Sequence, residues 1–382
     1  MLYQILIITG LIIFLVNLVL NLRYLKIPRP DSKITEPAPL VSVLIPARDE
    51  ESNIANCLES LQKQDYPNYE VMVLNDNSTD NTTAIVKRLA AADDRIKLFN
   101  GEPLPKDWAG KPFACYQLAK KAKGSWLIFV DADTTHSPDM LRSVIAQAIE
   151  LKVSLLSGFP RQLGNNLAQK IAIPMIYFIL MSWLPLWWLQ RSGKNRPSLA
   201  IGQFLLFPTD EYWRIGGHKA VKSKILEDVW IGVEINKNSG RHVAVDLSAV
   251  VACNMYRNLG EMWEGFLKWM YSVAVLSTAA LLGLIIAGYI FFLAPFYWFI
   301  NELFITDATL ILRAIITSQV VIIIVMRWLV DNKFKEPAIS TALHPIGFSF
   351  LFVSVVYAMV RKILGMGVRW KNRLYSREST VK

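Results

Sequence analysis

The sequence predicts an α/β domain of Rossmann type, lying between apolar segments long enough to enter a membrane. From residue 40 to about 134, short β-branched runs alternate with helical patterns. Hydrophobic residues make up 53% of the 382-residue chain, and long uncharged stretches lie on both sides of the mixed region.

Strands are expected at Val41–Ala47, Tyr69–Asn75, Arg95–Phe99 and Trp126–Asp131, with helices at about 50–63, 80–92 and 112–122 between them. That order is the signature of a parallel sheet with crossover helices, in which ligands bind beyond the carboxyl ends of the strands. Here those ends are polar. The first reads Pro46-Ala47-Arg48-Asp49-Glu50-Glu51, the second Asn75-Asp76-Asn77-Ser78-Thr79-Asp80 and the fourth Asp131-Ala132-Asp133. No GxGxxG follows the first strand and no Walker A sequence occurs, so the dinucleotide and P-loop readings lose their support. On an extended segment the side chains of Asp131 and Asp133 would project to one side and share a hard cation, magnesium or manganese, that bridges to a pyrophosphate. A lone Asp-x-Asp is otherwise an ordinary solvated loop, and its place after a hydrophobic strand gives it weight.

Residues 1–22 carry no charged side chain and are followed at once by Arg23, Lys26 and Arg29, the pattern of an uncleaved anchor over 1–24. The positive-inside rule then puts the N-terminus outside and a domain over 38–255 in the cytoplasm, with the plasma membrane as the expected location. A segment at 256–269 is expected at the interface, and a region at 270–360 offers three candidate crossings, Met270–Ile300, about 308–330 and about 340–360. The tail, 361–382, sets Arg361, Lys362, Arg369, Lys371, Arg373, Arg377 and Lys382 against the single acid Glu378, which suits a cytoplasmic, anionic membrane face. Three crossings would place that tail outside. One of the three is therefore expected to be re-entrant, the His344-Pro345 segment and the Arg313-containing one being the suspects. Residues 171–189 are apolar for nearly a span, but Pro174 and Pro185 interrupt them, and an insert at 171–190 is expected to lie at the interface.

The net charge of +10 is accompanied by no nucleic-acid recognition motif, so no nucleic-acid partner is expected. Cys57, Cys115 and Cys253 lie far apart and read as reduced thiols rather than a disulfide or zinc framework.

The run VSVLIPARDEESN, then NDNSTD, VDADT and ILEDVWIG, resembles a family 2 glycosyltransferase of the GT-A fold. The motifs Trp108-Ala109-Gly110-Lys111, Ile215-Gly216-Gly217-His218 and Val368 to Tyr375, with the flanking helices, are similar to membrane enzymes that glycosylate lipids, among them carotenoid, hopanoid-associated and ceramide glycosyltransferases. The resemblance implies inverting transfer of one sugar from a nucleotide-sugar donor to a hydroxyl of a membrane lipid. A carotenoid or other isoprenoid acceptor comes first, then a hopanoid, ceramide or diacylglycerol. It also implies roles for matched positions. Asp76 would contact the nucleoside, with Pro46, Arg48 and Glu50 around the base; Asp131 and Asp133 would hold ribose and metal; Lys111 would meet the pyrophosphate; Asp228 would be the base. Glu227 reads as a supporting residue.

Where many relatives carry Gln-x-x-Arg-Trp, this chain reads Gly265-Phe266-Leu267-Lys268-Trp269. Lysine keeps the charge but loses the bidentate fork, which disfavours a polysaccharide synthase. Lys268, Trp269 and His218 are candidates for binding the acceptor or the diphosphate, and Trp183, Trp187 and Trp188 with Arg191, Lys194 and Arg196 for lining the acceptor's entry. A non-catalytic scaffold is disfavoured because Asp76, Asp131, Asp133 and Asp228 are all present.

Overall fold

The computed structural model describes every residue except 33–35, 191–197, 225, 305–308, 371–372 and 376–382. The basic residues Arg191, Lys194, Arg196, Lys371, Arg377 and Lys382 therefore lie outside the described residues. The helices are α1 (Leu2–Tyr24), α2 (Ile54–Gln62), α3 (Thr82–Ala90), α4 (Gly110–Lys121), α5 (Met140–Leu151), α6 (Leu167–Ala172), α7 (Met175–Trp183), α8 (Leu186–Leu189), α9 (Thr209–Arg214), α10 (Glu227–Lys237), α11 (Leu259–Leu276), α12 (Thr278–Gly288), α13 (Ala294–Phe304), α14 (Leu310–Phe334), α15 (Ala338–Ala342) and α16 (His344–Ile363). The strands are β1 (Val41–Ala47), β2 (Tyr69–Asn75), β3 (Ile96–Asn100), β4 (Trp126–Val130), β5 (Thr134–His136), β6 (Leu155–Phe159), β7 (Arg161–Gln162), β8 (Phe204–Pro208), β9 (His242–Asp246), β10 (Val251–Cys253), β11 (Val368–Trp370) and β12 (Arg373–Tyr375).

The chain divides into two units. One comprises 25–162 and 188–255 and is built on a seven-stranded sheet of order β3-β2-β1-β4-β8-β6-β9. β1 to β4 are parallel, as the alternation predicts. β8 lies antiparallel between β4 and β6, so the sheet is mixed rather than wholly parallel. The strands read as continuous apolar runs because both faces are covered. Val41, Val43 and Ile45 of β1 face α2 and α5, while Leu44 joins Met72 and Phe129 against α4, α9 and α10.

The other unit comprises 1–24, 163–187 and 256–380. Among the described residues, four helical stretches are long and apolar enough to cross a membrane: Leu2–Tyr24, Leu281–Glu302, Leu310–Phe334 and His344–Ile363. The second runs through α12, a π-helical turn at Tyr289–Leu293 and α13. The insert, broken at Pro174 and Pro185, forms the shorter helices α6 to α8 and is not among the four.

α1 also packs within this unit. It buries a stripe of Gln4, Ile7, Leu11, Leu18 and Asn21 at helical spacing. The Asn21 amide, fully buried, donates to the carbonyls of Met181 (2.7 Å) and Leu184 (2.6 Å), and its oxygen accepts from Trp187 N (3.1 Å). These bonds satisfy carbonyls freed where α7 ends before Pro185. The Trp187 indole donates to Asn17 and the Trp183 ring lies 5.1 Å from Phe14, so both pack within this unit. In α14, Arg327 is buried in an ion pair with Asp331 (3.0 Å) and donates to the carbonyl of Pro174 (3.0 Å).

Candidate active site

The site forms at the carboxyl edge of the first four strands, where turns replace strand geometry. After β1, Asp49 takes a positive φ of 52°, and the backbone N–H groups of Asp49 and Glu51 donate to Ser78 and Asp80 of the loop after β2 while that of Glu50 donates to Thr82 at the start of α3. In return Thr79 N donates to the Asp49 carboxylate and Asn81 N to Glu51. Two loops laced in this way form a rigid wall. Arg48 donates to the Asp76 carbonyl (3.0 Å) and lies 3.9 Å from its carboxylate, so the predicted nucleoside residues meet. The Arg48 Nε atom is buried with no hydrogen-bond partner among the described residues. Glu50 is largely buried and accepts from Asn53 (3.1 Å), and Pro46 ends the wall inside β1.

β4 stops at Val130, one residue earlier than expected. Asp131-Ala132-Asp133 is a turn into β5, closed by bonds from the Thr134 N–H and hydroxyl to the Asp131 carbonyl (3.2 and 2.7 Å). The extended arrangement expected of these two aspartates is thus replaced by a turn. Asp133 is held by the Cys253 thiol (3.4 Å), which in turn accepts from Gln203 (2.9 Å). Burial, with Asp133 close by, raises the Cys253 thiol well above its usual range, so it stays a protonated donor. The thiol read as merely reduced therefore steadies a site residue.

The insertion of β8 beside β4 brings the turn at Gly202-Gln203 to the same edge, where Asp131 N donates to the Gln203 carbonyl (3.4 Å). There the first turn of α4 delivers Lys111 and the first turn of α10 delivers Glu227 and Asp228. Lys111 Nζ lies 2.6 Å from Asp131 Oδ1 and 3.3 Å from Glu227 Oε1, and donates to the Gly202 carbonyl at 3.4 Å. Burial alone would lower its pKa, but Asp131 and Glu227 together hold it well above the ordinary value. Asp228 accepts from Gly202 N through Oδ2 (2.8 Å) and from Val229 N through Oδ1 (2.8 Å). Gly202 is required there, because a Cβ would stand 2.8 Å from Asp228 Oδ2. Burial, and next the charge of Glu227, push the Asp228 carboxyl up to about 6, against the opposing pull of Lys111 and the two backbone N–H groups.

Within this unit, one predicted residue, His218, is not brought to this edge. His218 is 1% exposed, with Nδ1 2.9 Å from the Tyr212 hydroxyl and its ring 4.7 Å from that of Phe129. Gly216 and Gly217, with φ of 82° and 55°, turn the chain back under the sheet, and a Cβ on Gly217 would collide with the Tyr212 ring. The acceptor role expected of His218 therefore gives way to a core role, and burial lowers its pKa to about 3, keeping it neutral. Lys268 and Trp269 belong to α11 of the other unit and are half-buried there.

The carboxylates of Asp131 and Asp133 have the chemistry of hard-cation ligands. Asp131 is partly exposed and its Oδ1 already pairs with a cationic group at 2.6 Å, and Asp133 adds a second hard oxygen donor. Among the described residues no group of three or more His, Cys, Asp or Glu forms a complete metal cage. The protein would thus supply part of the coordination and a bound diphosphate the rest.

Residues 42–229 match the model of the family described as Glycosyl transferase family 2. With the sheet order and the acidic strand ends, this identifies the unit on the seven-stranded sheet as a glycosyltransferase domain of that family with the GT-A fold. The chain is similar to 4,4'-diaponeurosporenoate glycosyltransferase of Staphylococcus aureus strain MRSA252, being 28% identical over 233 residues, which is 60% of each chain. The enzyme of the same name from strain USA300 matches to the same extent. The chain thus spans about three-fifths of the length of these curated relatives. Among solved structures, mannosyltransferase PcManGT from Pyrobaculum calidifontis, in complex with GDP-Man and Mn2+, aligns with a TM-score of 0.53 at 16% identity, covering 94% of this chain and 98% of that one. That likeness concerns the fold alone.

Proposed function

We propose that this protein is an inverting glycosyltransferase that moves a single sugar from a nucleotide-sugar donor to a hydroxyl of a membrane lipid. The observation that carries the reading is the convergence of Lys111, Asp131, Glu227 and Asp228 at one sheet edge, beside the laced loops that hold Arg48 and Asp76. In this reading the nucleoside lies against Pro46, Arg48, Glu50 and Asp76, with the Arg48 guanidinium, whose Nε lies 3.9 Å from Asp49 Oδ2 and makes no hydrogen bond among the described residues, turned to meet it. Asp131 and Asp133 hold magnesium or manganese, which supplies charge neutralisation to the departing diphosphate. Lys111 adds a mobile positive charge to the same phosphates. Asp228 takes the proton of the acceptor hydroxyl as that oxygen attacks the anomeric carbon. Glu227 steers Lys111. One base is enough, in contrast to glycoside hydrolysis, where a second carboxyl must act as an acid.

The four long apolar helices support an acceptor drawn from the bilayer. The similarity to a diaponeurosporenoate glycosyltransferase favours a carotenoid or related isoprenoid, ahead of a hopanoid, ceramide or diacylglycerol. A domain on the cytoplasmic side has ready access to nucleotide sugars, and Arg23, Lys26 and Arg29 after α1 support that orientation.

The test is to compare lipid extracts from cells with and without the gene by mass spectrometry, then to offer the purified protein UDP- and GDP-sugars with the unglycosylated lipid. A glycolipid lost with the gene and remade in vitro is expected. An unchanged lipid profile and no transfer from either donor class would reject the reading.

A further inference from the structure

The place of Lys111 gives it a task beyond meeting the donor. Its ammonium sits 2.6 Å from Asp131 Oδ1, on the carboxylate proposed above to hold the metal, and it is drawn there also by Glu227 at 3.3 Å and the Gly202 carbonyl at 3.4 Å. Two like charges cannot share one carboxylate oxygen at such distances without repulsion. Lysine is a point charge on a flexible four-carbon stem, so it can leave one anion for another.

We infer that Lys111 is a built-in counter-cation that holds the metal seat in the donor-free protein, so that a divalent ion enters only together with the diphosphate. Arrival of the nucleotide offers Lys111 a second anion, and its departure from Asp131 opens the oxygen to the metal. The diphosphate also provides the ligands that the protein lacks, since no complete cage exists among the described residues. Metal and nucleotide are then coupled through one side chain, and the coupling is reciprocal. A lysine that only binds phosphate would oppose no metal. The inference rests on the donor-and-metal reading above.

The experiment titrates Mn2+ into the full-length protein in detergent, with free Mn2+ followed by its electron paramagnetic resonance signal, alone and with saturating UDP or GDP. Wild type is expected to bind Mn2+ weakly alone and more tightly with one of the nucleotides. In Lys111→Met and Lys111→Gln, binding of Mn2+ alone should tighten about tenfold, within the usual range for coupled sites, and the enhancement by nucleotide should shrink by the same factor. Lys111→Arg, which keeps the charge, should behave nearly as wild type, and Asp131→Asn should lose the site. Unchanged or weaker binding of Mn2+ alone in both neutral variants would overturn the inference while leaving the donor reading intact. Mn2+ binding that survives Asp131→Asn would overturn it too, by placing the seat elsewhere. Absence of Mn2+ binding with either nucleotide would bring down the metal-dependent donor reading itself.

Discussion

Replacing Asp228 with asparagine should remove activity and stabilise the fold at the same time. The carboxyl is pushed from its ordinary 3.8 to about 6, mainly by burial and then by Glu227. Its folded-state pKa is thus raised, so the stabilisation from proton uptake is complete below about 3.8 and lost as pH rises through about 6. At pH 7 some nine-tenths of the molecules are ionised, at a cost to the fold of about 3 kcal/mol at 1.36 kcal/mol per unit. Asparagine carries no charge but has one acceptor oxygen for two backbone donors, Gly202 N and Val229 N, and loses roughly 1 kcal/mol on that account. The net expectation is a gain of about 1–2 kcal/mol, seen as a higher melting temperature at pH 7 that vanishes near pH 4. Transfer to a lipid hydroxyl should fall by about two to four orders of magnitude, the range for loss of a general base. Nucleotide binding should persist, because none of the loop contacts is touched. In wild type, with Glu227 and Lys111 the charged groups nearest the carboxyl, the rate should decline as pH falls below about 6. Initial rates from pH 5 to 8 in nanodiscs, with calorimetric nucleotide titrations and thermal melts of both proteins, check all four outcomes. A variant with nearly wild-type turnover would refute the assignment, leaving Asp228 as no more than a helix-start residue.

Chelation with excess EDTA should abolish transfer and Mn2+ or Mg2+ restore it; full activity in EDTA would remove the metal. Gly202→Ala should lower turnover at least tenfold while nucleotide titrations stay near wild type, because its Cβ would stand 2.8 Å from Asp228 Oδ2 and displace it. Asn21→Leu strips three hydrogen bonds from a fully buried amide and should cost roughly 2–5 kcal/mol at the 0.6–1.7 kcal/mol found per bond in membranes, read as a lower melting temperature in detergent. A C-terminal tag should resist external protease in intact cells. The tail's basic residues favour the cytoplasmic face, and ready cleavage from outside would mean that all three long helices after the domain cross.

The half of the sheet nearest the N-terminus is legible in the sequence because each strand there is followed by a crossover helix. β1 and β2 begin and end where the β-branched runs do, and β3 is displaced by one residue. The later half is not legible. Phe204-Leu205-Leu206-Phe207 is a short, continuously apolar run, and such a run carries no sign of its direction. Its antiparallel placement comes from pairing with β4 and β6, distant in the chain, and that pairing sets Gly202 beside Asp131. His218 misled for a related reason. A histidine after two glycines looks like an exposed turn, and only its packing against Phe129 and Tyr212 shows the turn pointing inward.

The candidate aspartates could be read singly, but their mutual compensation could not, since Lys111, Asp131, Gly202 and Glu227 are separated by 20 to 116 positions (131 minus 111, 227 minus 111). Once assembled, they show an imbalance. Three carboxyl groups, Asp131, Glu227 and Asp228, gather around a single ammonium, with Asp133 two residues from the first. A site that already carries excess negative charge repels a diphosphate unless further positive charge arrives with it. Lys111 alone cannot neutralise both its protein partners and the phosphates. The excess therefore calls for a divalent ion beside the donor in the proposed reaction, and Asp228, whose carboxyl burial and then Glu227 raise to about 6, stands beside that cluster as the proposed base.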